Sequence, residues 1–426
     1  MRESFRPGGT GPARRTGRGA RALLCGAAAI LLGTVVVAPP SASAAVPRCG
    51  PPGTAAPAET PWPLRRLEPS SAWRISRGAG VTVAVIDSGV SASHPVLKGQ
   101  VRVGRDFNGL PQQEGRCDLA GHGTIVAGII AGKEGTGTSF SGIAPQARIL
   151  PVRVLPDTRT TVDEGLPGQI ASAIRWSVQN GADVINLSLV TLDRKDLADA
   201  VRYALDEGVV VVAAAGNRQE NQQDMPAFPA AYPGVIAVAG VDEEGGHVGS
   251  SVSGDYVDLA APGLNILGPA PGGEGYLAEP QGGTSFAAAY VSGVAALVRA
   301  AHPDLGPEQV ADRLIRTADS PPEGKNPEVG HGVVNPYRAV ASLLGTRTDP
   351  PAGAMPPPPS TADPLAWQGT VAVWVAAVGA LVTGLLLSVK PILLRGRRRG
   401  WRPGRRPSTV GQANLPGATG ADATTG

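Results

Sequence analysis

Four side chains in this sequence have the chemistry of acyl transfer. Asp87 follows an apolar run, His122 stands between two glycines, Asn217 follows Ala-Ala-Gly, and Ser285 follows Gly-Gly-Thr. A serine nucleophile needs a base to take its proton, and an imidazole base needs an acid that fixes its tautomer and stabilises its cation. Amide donors stabilise the oxyanion that forms. The chain order Asp, His, Asn, Ser therefore predicts Ser285 as nucleophile, His122 as base, Asp87 as orienting acid and Asn217 in an oxyanion hole.

Each of these residues also has a simpler interpretation. Asp87 could end a strand, Asn217 could form a turn, and Ser285 could cap a helix. His122 is more informative, because the other four of the five histidines lie in turns, loops or at a helix end. The glycines beside His122 leave room for an imidazole that titrates near neutral pH. Single residues are weak signals, and the prediction depends on all four together.

The framework around these residues is predicted from hydrophobic periodicity. Five apolar runs are predicted to be buried strands: residues 81–86, 148–154, 183–187, 209–214 and 235–239. Apolar residues at helical spacing predict helices at residues 169–180, 196–207, 307–318 and 336–344. Strands that are apolar throughout and alternate with helices are typical of a parallel sheet covered on both faces. We therefore expect an α/β catalytic domain over residues 73–345, with three layers and a mostly parallel central sheet.

The chain ends are predicted to direct the protein to a membrane. Residues 1–44 have the basic, apolar and small-residue regions of a signal peptide cleaved near Ala44, with an uncleaved anchor as the alternative. Residues 370–389 carry no charge and are long enough to span a bilayer as a helix. The basic tail, residues 390–426, predicts a cytoplasmic C-terminus and an extracytoplasmic catalytic domain in the cell membrane. A buried core helix is the alternative for residues 370–389.

Two further segments connect these parts. Residues 45–72 are rich in Pro and Ala and are predicted to be an extended N-terminal arm, and residues 346–369 are predicted to be a Pro-rich linker. If Cys25 leaves with the signal peptide, only Cys49 and Cys117 remain, which predicts one disulfide in an oxidising compartment. Metal binding by two lone cysteines is the weaker alternative.

Composition and charge exclude several classes of protein. With 42% hydrophobic residues the chain can bury a sizeable core, so a wholly disordered chain, a coiled coil and a collagen are excluded. The net charge of +3 comes from the ends, since residues 45–389 contain 24 Lys and Arg against 33 Asp and Glu. An acidic domain of this kind has no electrostatic reason to bind nucleic acid.

Residues 73–345 resemble the subtilisin-like serine proteases, the subtilases. The resemblance is carried by Val-Ile-Asp-Ser-Gly-Val around Asp87, Gly-His-Gly-Thr around His122, Ala-Ala-Gly-Asn at Asn217 and Gly-Thr-Ser at Ser285. It implies a subtilisin-like fold and a serine endopeptidase that cleaves proteins or peptides through an acyl-enzyme. The predicted reaction needs no metal and no organic cofactor; calcium, which is common in secreted subtilases, is left open with no ligands assigned.

The overall layout is similar to that of the mycosins, membrane-anchored subtilases of type VII secretion systems. This resemblance implies exported proteins as substrates and subunits of the secretion membrane complex as partners. It also implies that the disulfide holds the arm against the domain. About 28 residues precede Trp73 after the predicted cleavage, too few for an independently folding pro-domain, and we expect none to be removed.

Three departures from the subtilase pattern are visible. Phe286 and Ala289 stand where Met and Pro are common, and neither residue does chemistry. Residues Ser188, Leu189 and Val190 are candidates for the wall of the substrate pocket, and Val190 replaces the usual glycine. The shape of that pocket is therefore left open.

Two other functions are compatible with this sequence. The protein could serve mainly as a structural subunit that stabilises the secretion membrane complex. It could also be a nutrient-degrading protease released by cleavage in the linker. An intact set of catalytic side chains favours the enzyme over a purely structural protein.

Overall fold

The computed structural model describes residues 49–110, 113–134, 137–156, 164–218, 225–344, 366–398 and 400. The chain divides into two units, Met1–Leu343 and Leu344–Gly426, which are described separately. The predicted signal peptide (1–44), most of the predicted linker (346–369) and the tail beyond residue 400 lie outside the described residues.

The first unit is built on a parallel sheet of seven strands in the order β2-β3-β1-β4-β5-β6-β7. The strands are β1 (Thr82–Asp87), β2 (Arg105–Asp106), β3 (Arg148–Arg153), β4 (Val184–Leu187), β5 (Val210–Ala214), β6 (Ile236–Val241) and β7 (Leu259–Pro262). A separate antiparallel hairpin follows, with strands β8 (Ile266–Pro269) and β9 (Tyr276–Glu279). Nearly every residue of the seven strands is buried, as a sheet covered on both faces requires.

Helices pack on both faces of this sheet. The helices of the first unit are α1 (Trp62–Leu67), α2 (Pro69–Ala72), α3 (His122–Ala131), α4 (Leu166–Gln179), α5 (Lys195–Asp206), α6 (Thr284–Ala301), α7 (Pro307–Thr317) and α8 (Pro336–Ala341). Along β1, Val83 and Val85 belong to the core that contains α3 and α6. Ala84 and Ile86 belong to the second core, with α4 and α5. Alternation along one strand thus divides the apolar residues between two cores, which confirms the predicted three-layer α/β fold.

The sequence-based prediction missed the short strands. β2 has two residues and β7 contains two alanines and a proline, so neither has the apolar run on which the prediction relied. The hairpin of β8 and β9 was missed for a similar reason, because β9 is mostly exposed and contains a glutamate. These strands are defined by their pairing with neighbours more than by their own composition.

The N-terminal arm is not wholly extended, which corrects the prediction for residues 45–72. Pro63 and Pro69 lie in the first turns of α1 and α2, where a missing N–H costs nothing. Leu64 and Leu67 of α1 are buried in the same core as α3 and α6. This half of the arm is therefore part of the folded domain, because two short helices bury its apolar residues.

The preceding half of the arm is extended and bound along the hairpin. Cys49 and Cys117 form a disulfide, and Cys117 is 3% exposed. Thr54 then pairs with Tyr276 of β9, with backbone N–H to carbonyl distances of 2.8 and 2.9 Å in the two directions. The disulfide and the strand pairing together attach the arm to the domain.

The second unit contains α9 (Ala366–Arg398). Within Val371–Arg398, an 18-residue window has a mean hydropathy of 2.2, and none of that window is buried within the structure. Thr284–Ala301 is also long and apolar enough to span a membrane, but 78% of it is buried and it is the core helix α6. Residues 371–398 are therefore the better candidate for a membrane span.

Candidate active site

The predicted catalytic residues lie where strands end and helices begin. Asp87 is the last residue of β1, His122 is the first residue of α3, and Ser285 is the second residue of α6. Asn217 follows β5 by three residues. In parallel α/β folds, the carboxyl ends of strands and the helix starts that follow them form the usual ligand-binding edge. The fold therefore brings these four segments to one edge of the sheet.

Asp87 and His122 are hydrogen bonded. Asp87 Oδ1 lies 2.8 Å from His122 Nδ1, and the same oxygen accepts the backbone N–H of Ser88 at 2.7 Å. The Asp87 side chain is fully buried, while 15% of the His122 side chain is exposed. A Cβ on Gly123 would lie 2.1 Å from the carbonyl oxygen of Gly89. Glycine after His122 is therefore required for α3 to approach the β1 turn this closely.

The electrostatics of this pair favour a protonated imidazole. Burial alone would lower the pKa of His122, but the charge and the hydrogen bond of Asp87 and the charge of Asp118 act in the opposite direction, and the net effect raises the pKa above its ordinary value. Glu279 of β9 adds a smaller contribution to raising the same pKa. A carboxylate held in this way fixes one ring nitrogen and leaves the other for proton transfer.

Ser285 exchanges two hydrogen bonds with Ser188. The Ser285 hydroxyl donates to the Ser188 carbonyl oxygen at 3.1 Å, and the Ser188 hydroxyl donates to the Ser285 carbonyl oxygen at 2.7 Å. Within the described residues no hydrogen bond joins Ser285 Oγ to His122. The rings of His122 and Phe286 are nevertheless 5.2 Å apart, which places the imidazole beside the residue after Ser285. Catalytic hydrogen bonds are often long or unaligned without substrate.

A buried polar network of Asn186 and Ser292 is hydrogen bonded to Ser188 and so supports the Ser188–Ser285 pair. Asn186 is fully buried in β4, where its Nδ2 donates to Ser188 Oγ at 2.8 Å. Its Oδ1 accepts the hydroxyl of Ser292, in the middle of α6, at 2.9 Å. Because Ser188 also bonds to Ser285, the network ties the end of β4 to two points along α6. Buried networks with satisfied members rigidify the elements that they join.

Asn217 is oriented by the start of α6. Its Oδ1 accepts the backbone N–H of Thr284 at 3.0 Å and the hydroxyl of Thr284 at 3.1 Å. With the oxygen held by two donors, Nδ2 is the atom left to donate. Asn217 is exposed, and the N–H of Ser285 belongs to the first turn of α6, where N–H groups lack partners within the helix. Two donors are thus available for an oxyanion near Ser285.

Asp118 is a buried residue of the site that the sequence prediction missed. It is fully buried and accepts hydrogen bonds from the hydroxyls of Ser88 and Thr124 at 2.9 and 2.6 Å. Backbone N–H groups at positions 120, 121 and 124 complete the set, at 3.2, 2.8 and 2.8 Å. Burial raises the pKa of Asp118, and these hydrogen bonds offset part of the rise. An acid four residues before His122 was the available signal.

The two glycines before Ser285 admit a neighbouring segment of the same chain. A Cβ on Gly282 would lie 1.8 Å from the carbonyl oxygen of Gly263, and the N–H of Gly283 donates to that oxygen at 2.7 Å. Glycine is therefore needed at position 282 so that this segment can contact the loop after β7.

The remaining predicted residues lie at the rim of the site or beside it. Residues Ser188, Leu189 and Val190 follow β4 directly; Leu189 is buried and Val190 is partly exposed. The disulfide partner Cys117 precedes Asp118 in the loop that leads to His122.

Among the described residues, no group of three or more His, Cys, Asp or Glu is placed to hold a metal ion.

An acid bonded to an imidazole, beside a serine at a helix start, is an arrangement suited to peptide hydrolysis. The family model described as the subtilase family matches residues 78–332. The chain belongs to the subtilase family. It is a subtilisin-type serine protease, and the matched residues include all of β1, α3 and α6.

Individual relatives agree with this assignment. The chain is 34% identical to mycosin-4 of Mycobacterium tuberculosis, over 78% of this chain and 80% of that protein. It is similar to the solved structure of the MycP3 protease from the type VII (ESX-3) secretion system, with 35% identity and a TM-score of 0.60 over 68% of this chain and 96% of that one. It is also similar to a chain in the periplasmic assembly from the ESX-5 inner membrane complex, with 30% identity and a TM-score of 0.61 over 73% of this chain and 92% of that one.

Proposed function

We propose that this protein is a membrane-anchored, extracytoplasmic serine endopeptidase that processes proteins exported by a type VII secretion system. The single observation that carries the catalytic part is the 2.8 Å hydrogen bond between Asp87 and His122, made beside the helix start that holds Ser285. Family membership supports the reaction class. Similarity to mycosin-4 and MycP3 supports the secretion role.

In this proposal Ser285 attacks the carbonyl carbon of the substrate. Its hydroxyl turns from the Ser188 carbonyl toward His122, which takes the proton on Nε2. Asp87 keeps the proton of Nδ1 in place and stabilises the imidazolium. His122 then gives its proton to the leaving amine, so that the peptide bond breaks and an acyl-enzyme remains. Water, activated by the same imidazole, hydrolyses the ester and restores Ser285.

The oxyanion is stabilised by two donors in this mechanism. Nδ2 of Asn217 and the N–H of Ser285 bind the carbonyl oxygen as it gains charge. The N-terminus of α6 adds favourable dipole, because Ser285 lies in its first turn. Removal of one such donor typically costs on the order of 10²–10³-fold in kcat. No resident metal or organic cofactor is required by any of these steps.

The proposed location follows from α9. Residues 370–389 span the membrane, residues 390–426 lie in the cytoplasm, and the catalytic domain lies outside. The exposed apolar stretch Val371–Arg398 supports a span, and the basic residues at its C-terminal end support this orientation. The disulfide between Cys49 and Cys117 is consistent with an oxidising compartment. Subunits of the secretion membrane complex are the proposed partners.

The catalytic part is tested by Ser285→Ala. We expect at least about a 10³-fold loss of peptide hydrolysis, because the variant lacks the nucleophile. Ser172→Ala, an exposed serine on α4, is the matched control and is expected to cleave as wild type does. Equal thermal stability of the two variants excludes misfolding as the cause. Cleavage by Ser285→Ala at the wild-type rate would contradict the proposal.

A second function, stabilisation of the secretion membrane complex, is favoured by one observation. The chain resembles a component of the periplasmic assembly from the ESX-5 inner membrane complex. The two roles are separated by expressing Ser285→Ala in a strain that lacks the wild-type protein. Restored secretion would favour the structural role. Lost secretion with the complex still assembled would favour proteolysis.

A further inference from the structure

We propose that Asp118 is a positioning residue, which holds the proposed acid Asp87 and the proposed base His122 in their places relative to each other. The inference rests on the proposed function, because it gives a part in that reaction to a residue that the proposed mechanism does not use. It is carried by one arrangement: the carboxylate of Asp118 is hydrogen bonded both to the turn after β1 and to the start of α3. These two elements carry the acid and the base.

On the side of the acid, Asp118 is connected to Asp87 through Ser88. The Ser88 hydroxyl donates to Asp118 Oδ1 at 2.9 Å, and the Ser88 N–H donates to Asp87 Oδ1 at 2.7 Å. That oxygen of Asp87 is also the one bonded to His122 Nδ1, at 2.8 Å. Ser88 is fully buried, so bulk water does not compete for these bonds. The position of Ser88 therefore determines where the Asp87 oxygen that meets the imidazole lies.

On the side of the base, Asp118 binds the backbone before and after His122. The N–H of Gly121 donates to Oδ1 at 2.8 Å, and the N–H of Thr124 donates to Oδ2 at 2.8 Å. N–H groups in the first turn of a helix have no partner within it, so a side-chain acceptor fixes where the helix begins. His122 is the first residue of α3 and lies between these two contacts. The carboxylate that orders Ser88 therefore also places the imidazole.

Two further hydrogen bonds join the turn and the helix directly. The N–H of Gly123 donates to Ser88 Oγ at 3.0 Å, and the N–H of Ser91 donates to Thr124 Oγ1 at 3.0 Å. Each of these hydroxyls donates in turn to Asp118, that of Ser88 to Oδ1 and that of Thr124 to Oδ2. The two oxygens thus complete two separate bridges between the turn and α3. Networks whose members are all satisfied hold the elements that they join rigidly.

Only an ionised carboxylate fits this place. All five partners of Asp118 are donors, namely two hydroxyls and three backbone N–H groups. Each oxygen accepts at least one backbone N–H, which can only donate. An asparagine would direct its NH₂ group at a backbone N–H in either orientation of the amide. Asp118→Asn therefore keeps the size of the side chain and breaks one of the two bridges.

The backbone of Asp118 is enclosed between the arm and the turn after β1. Cys117 is bonded to Cys49, and a Cβ on Gly50 would lie 2.1 Å from the Asp118 carbonyl oxygen. On the other side, a Cβ on Gly89 would lie 2.2 Å from the Cys117 carbonyl oxygen. Segments this close leave the loop no room to shift. The carboxylate of Asp118 is therefore held at a fixed point beside the two elements that it joins.

The test measures hydrolysis of a chromogenic peptide by full-length wild type and full-length Asp118→Asn. A misplacement of about 1 Å can cost ~10²-fold in rate, so we expect kcat to fall at least about tenfold. KM should stay within about twofold, because the lost interaction acts on the reaction and not on substrate binding. Asp258→Asn is the matched control. It changes an acid that accepts the N–H of Ala237 before β7, at the opposite edge of the sheet, and should keep the wild-type kcat.

The pH profile provides a readout that a purely structural role would not move. Three acids raise the pKa of His122: Asp87 from β1, Asp118 from the loop before α3 and Glu279 from β9. Asp118→Asn removes one of these charges and loosens the bond to Asp87, so the pKa of His122 falls. The ascending limb of kcat/KM should therefore move to lower pH. An unchanged kcat in folded Asp118→Asn would overturn the inference, while the proposed function would stand.

A second variant, Ser88→Ala, breaks the bridge to the acid and keeps the charge of Asp118. It should also lower kcat, and Ser88→Ala/Asp118→Asn should lose less than the product of the two single effects, because both act through the same bonds. If Asp118→Asn does not fold, wild-type kcat in Ser88→Ala would overturn the inference. If wild type neither cleaves peptides nor reacts with a fluorophosphonate at Ser285, the proposed function has failed and the inference fails with it.

Discussion

Ser188 and Ser285, 97 residues apart in sequence, exchange hydrogen bonds between the hydroxyl of each and the carbonyl oxygen of the other. The pair fastens the first turn of α6 to the end of β4. In the absence of substrate the hydroxyl of Ser285 donates to the Ser188 carbonyl oxygen and not to His122. The proposed nucleophile must therefore break this hydrogen bond and form one with His122 before it reacts.

The first prediction concerns Ser188→Ala. The variant removes one donor to Ser285 and leaves Nδ2 of the buried Asn186 without its partner. A buried group left unsatisfied costs about 1–3 kcal/mol, so we expect the free energy of unfolding to fall by that amount. Denaturant titration measures it. Ser172→Ala is the control and should change it by less than about 0.5 kcal/mol. Equal stability of both variants would contradict a structural role for the pair.

The second prediction concerns pH. In the proposed mechanism the neutral form of His122 is the base. Burial lowers its pKa, but Asp87, together with Asp118 and Glu279, raises it by more. The ascending limb of kcat/KM should therefore lie above the ordinary histidine value of about 6.5. Asp87→Asn removes the carboxylate, so it should move this limb to lower pH and reduce kcat by about 10⁴-fold. Asp199→Asn, on the outer surface of α5, is the control and should leave the limb unchanged. If the ascending limb of kcat/KM lies at the same pH in Asp87→Asn as in wild type, a group other than the Asp87–His122 pair controls it.

The third prediction concerns the disulfide. Cys49 and Cys117 close a loop with a sequence separation of 68. The chain-entropy treatment of such a loop gives about 4 kcal/mol of stabilisation through the unfolded state. Cys49→Ser/Cys117→Ser should lose 2–5 kcal/mol, which is about the usual range, in denaturant titrations. Reductant should destabilise wild type and leave the double variant unchanged. A double variant as stable as wild type would contradict the proposed role of the disulfide in holding the arm.

The fourth prediction concerns a buried ion pair that contacts Ser88, the residue after the proposed catalytic acid Asp87. Arg153 is 3% exposed, bonds to Asp106 at 3.1 Å and donates through Nε to the carbonyl oxygen of Ser88 at 3.2 Å. Removal of one partner of such a pair costs about 3–5 kcal/mol, because the other charge stays buried. Arg153→Met and Asp106→Leu should each lose stability in this range.

The double variant is the control for that prediction. Replacing both charges with apolar side chains is often neutral. Arg153→Met/Asp106→Leu should therefore be more stable than either single variant. A double variant that loses the sum of the two single effects would show that the residues act independently.

Features that depend on residues close together in the sequence were predicted correctly. The apolar run before Asp87 became β1, and the glycines around His122 marked a close approach of helix and strand. Asp118 escaped prediction because its full burial and its hydrogen bond from Ser88, 30 residues away, are not visible in the sequence. The Ser188–Ser285 pair escaped for the same reason, since 97 residues separate its members.

The helices of the arm show a different limit of sequence analysis. α1 has six residues and α2 has four, too few for hydrophobic periodicity to be visible. Leu64 and Leu67 of α1 are buried in the core that also contains α3 and α6, and α2 packs against α8 near the other end of the domain sequence. Prediction from composition alone therefore gave an extended arm, because the tertiary contacts that fold it are not local.

The most direct test of the central claim is the site and rate of reaction with a fluorophosphonate. Mass spectrometry of digested wild-type protein should find the adduct on Ser285. His122→Ala should react at least about 10³-fold more slowly, because no base removes the serine proton. An adduct on another residue, or an unchanged rate in His122→Ala, would contradict the assignment of Ser285, His122 and Asp87 as one catalytic unit.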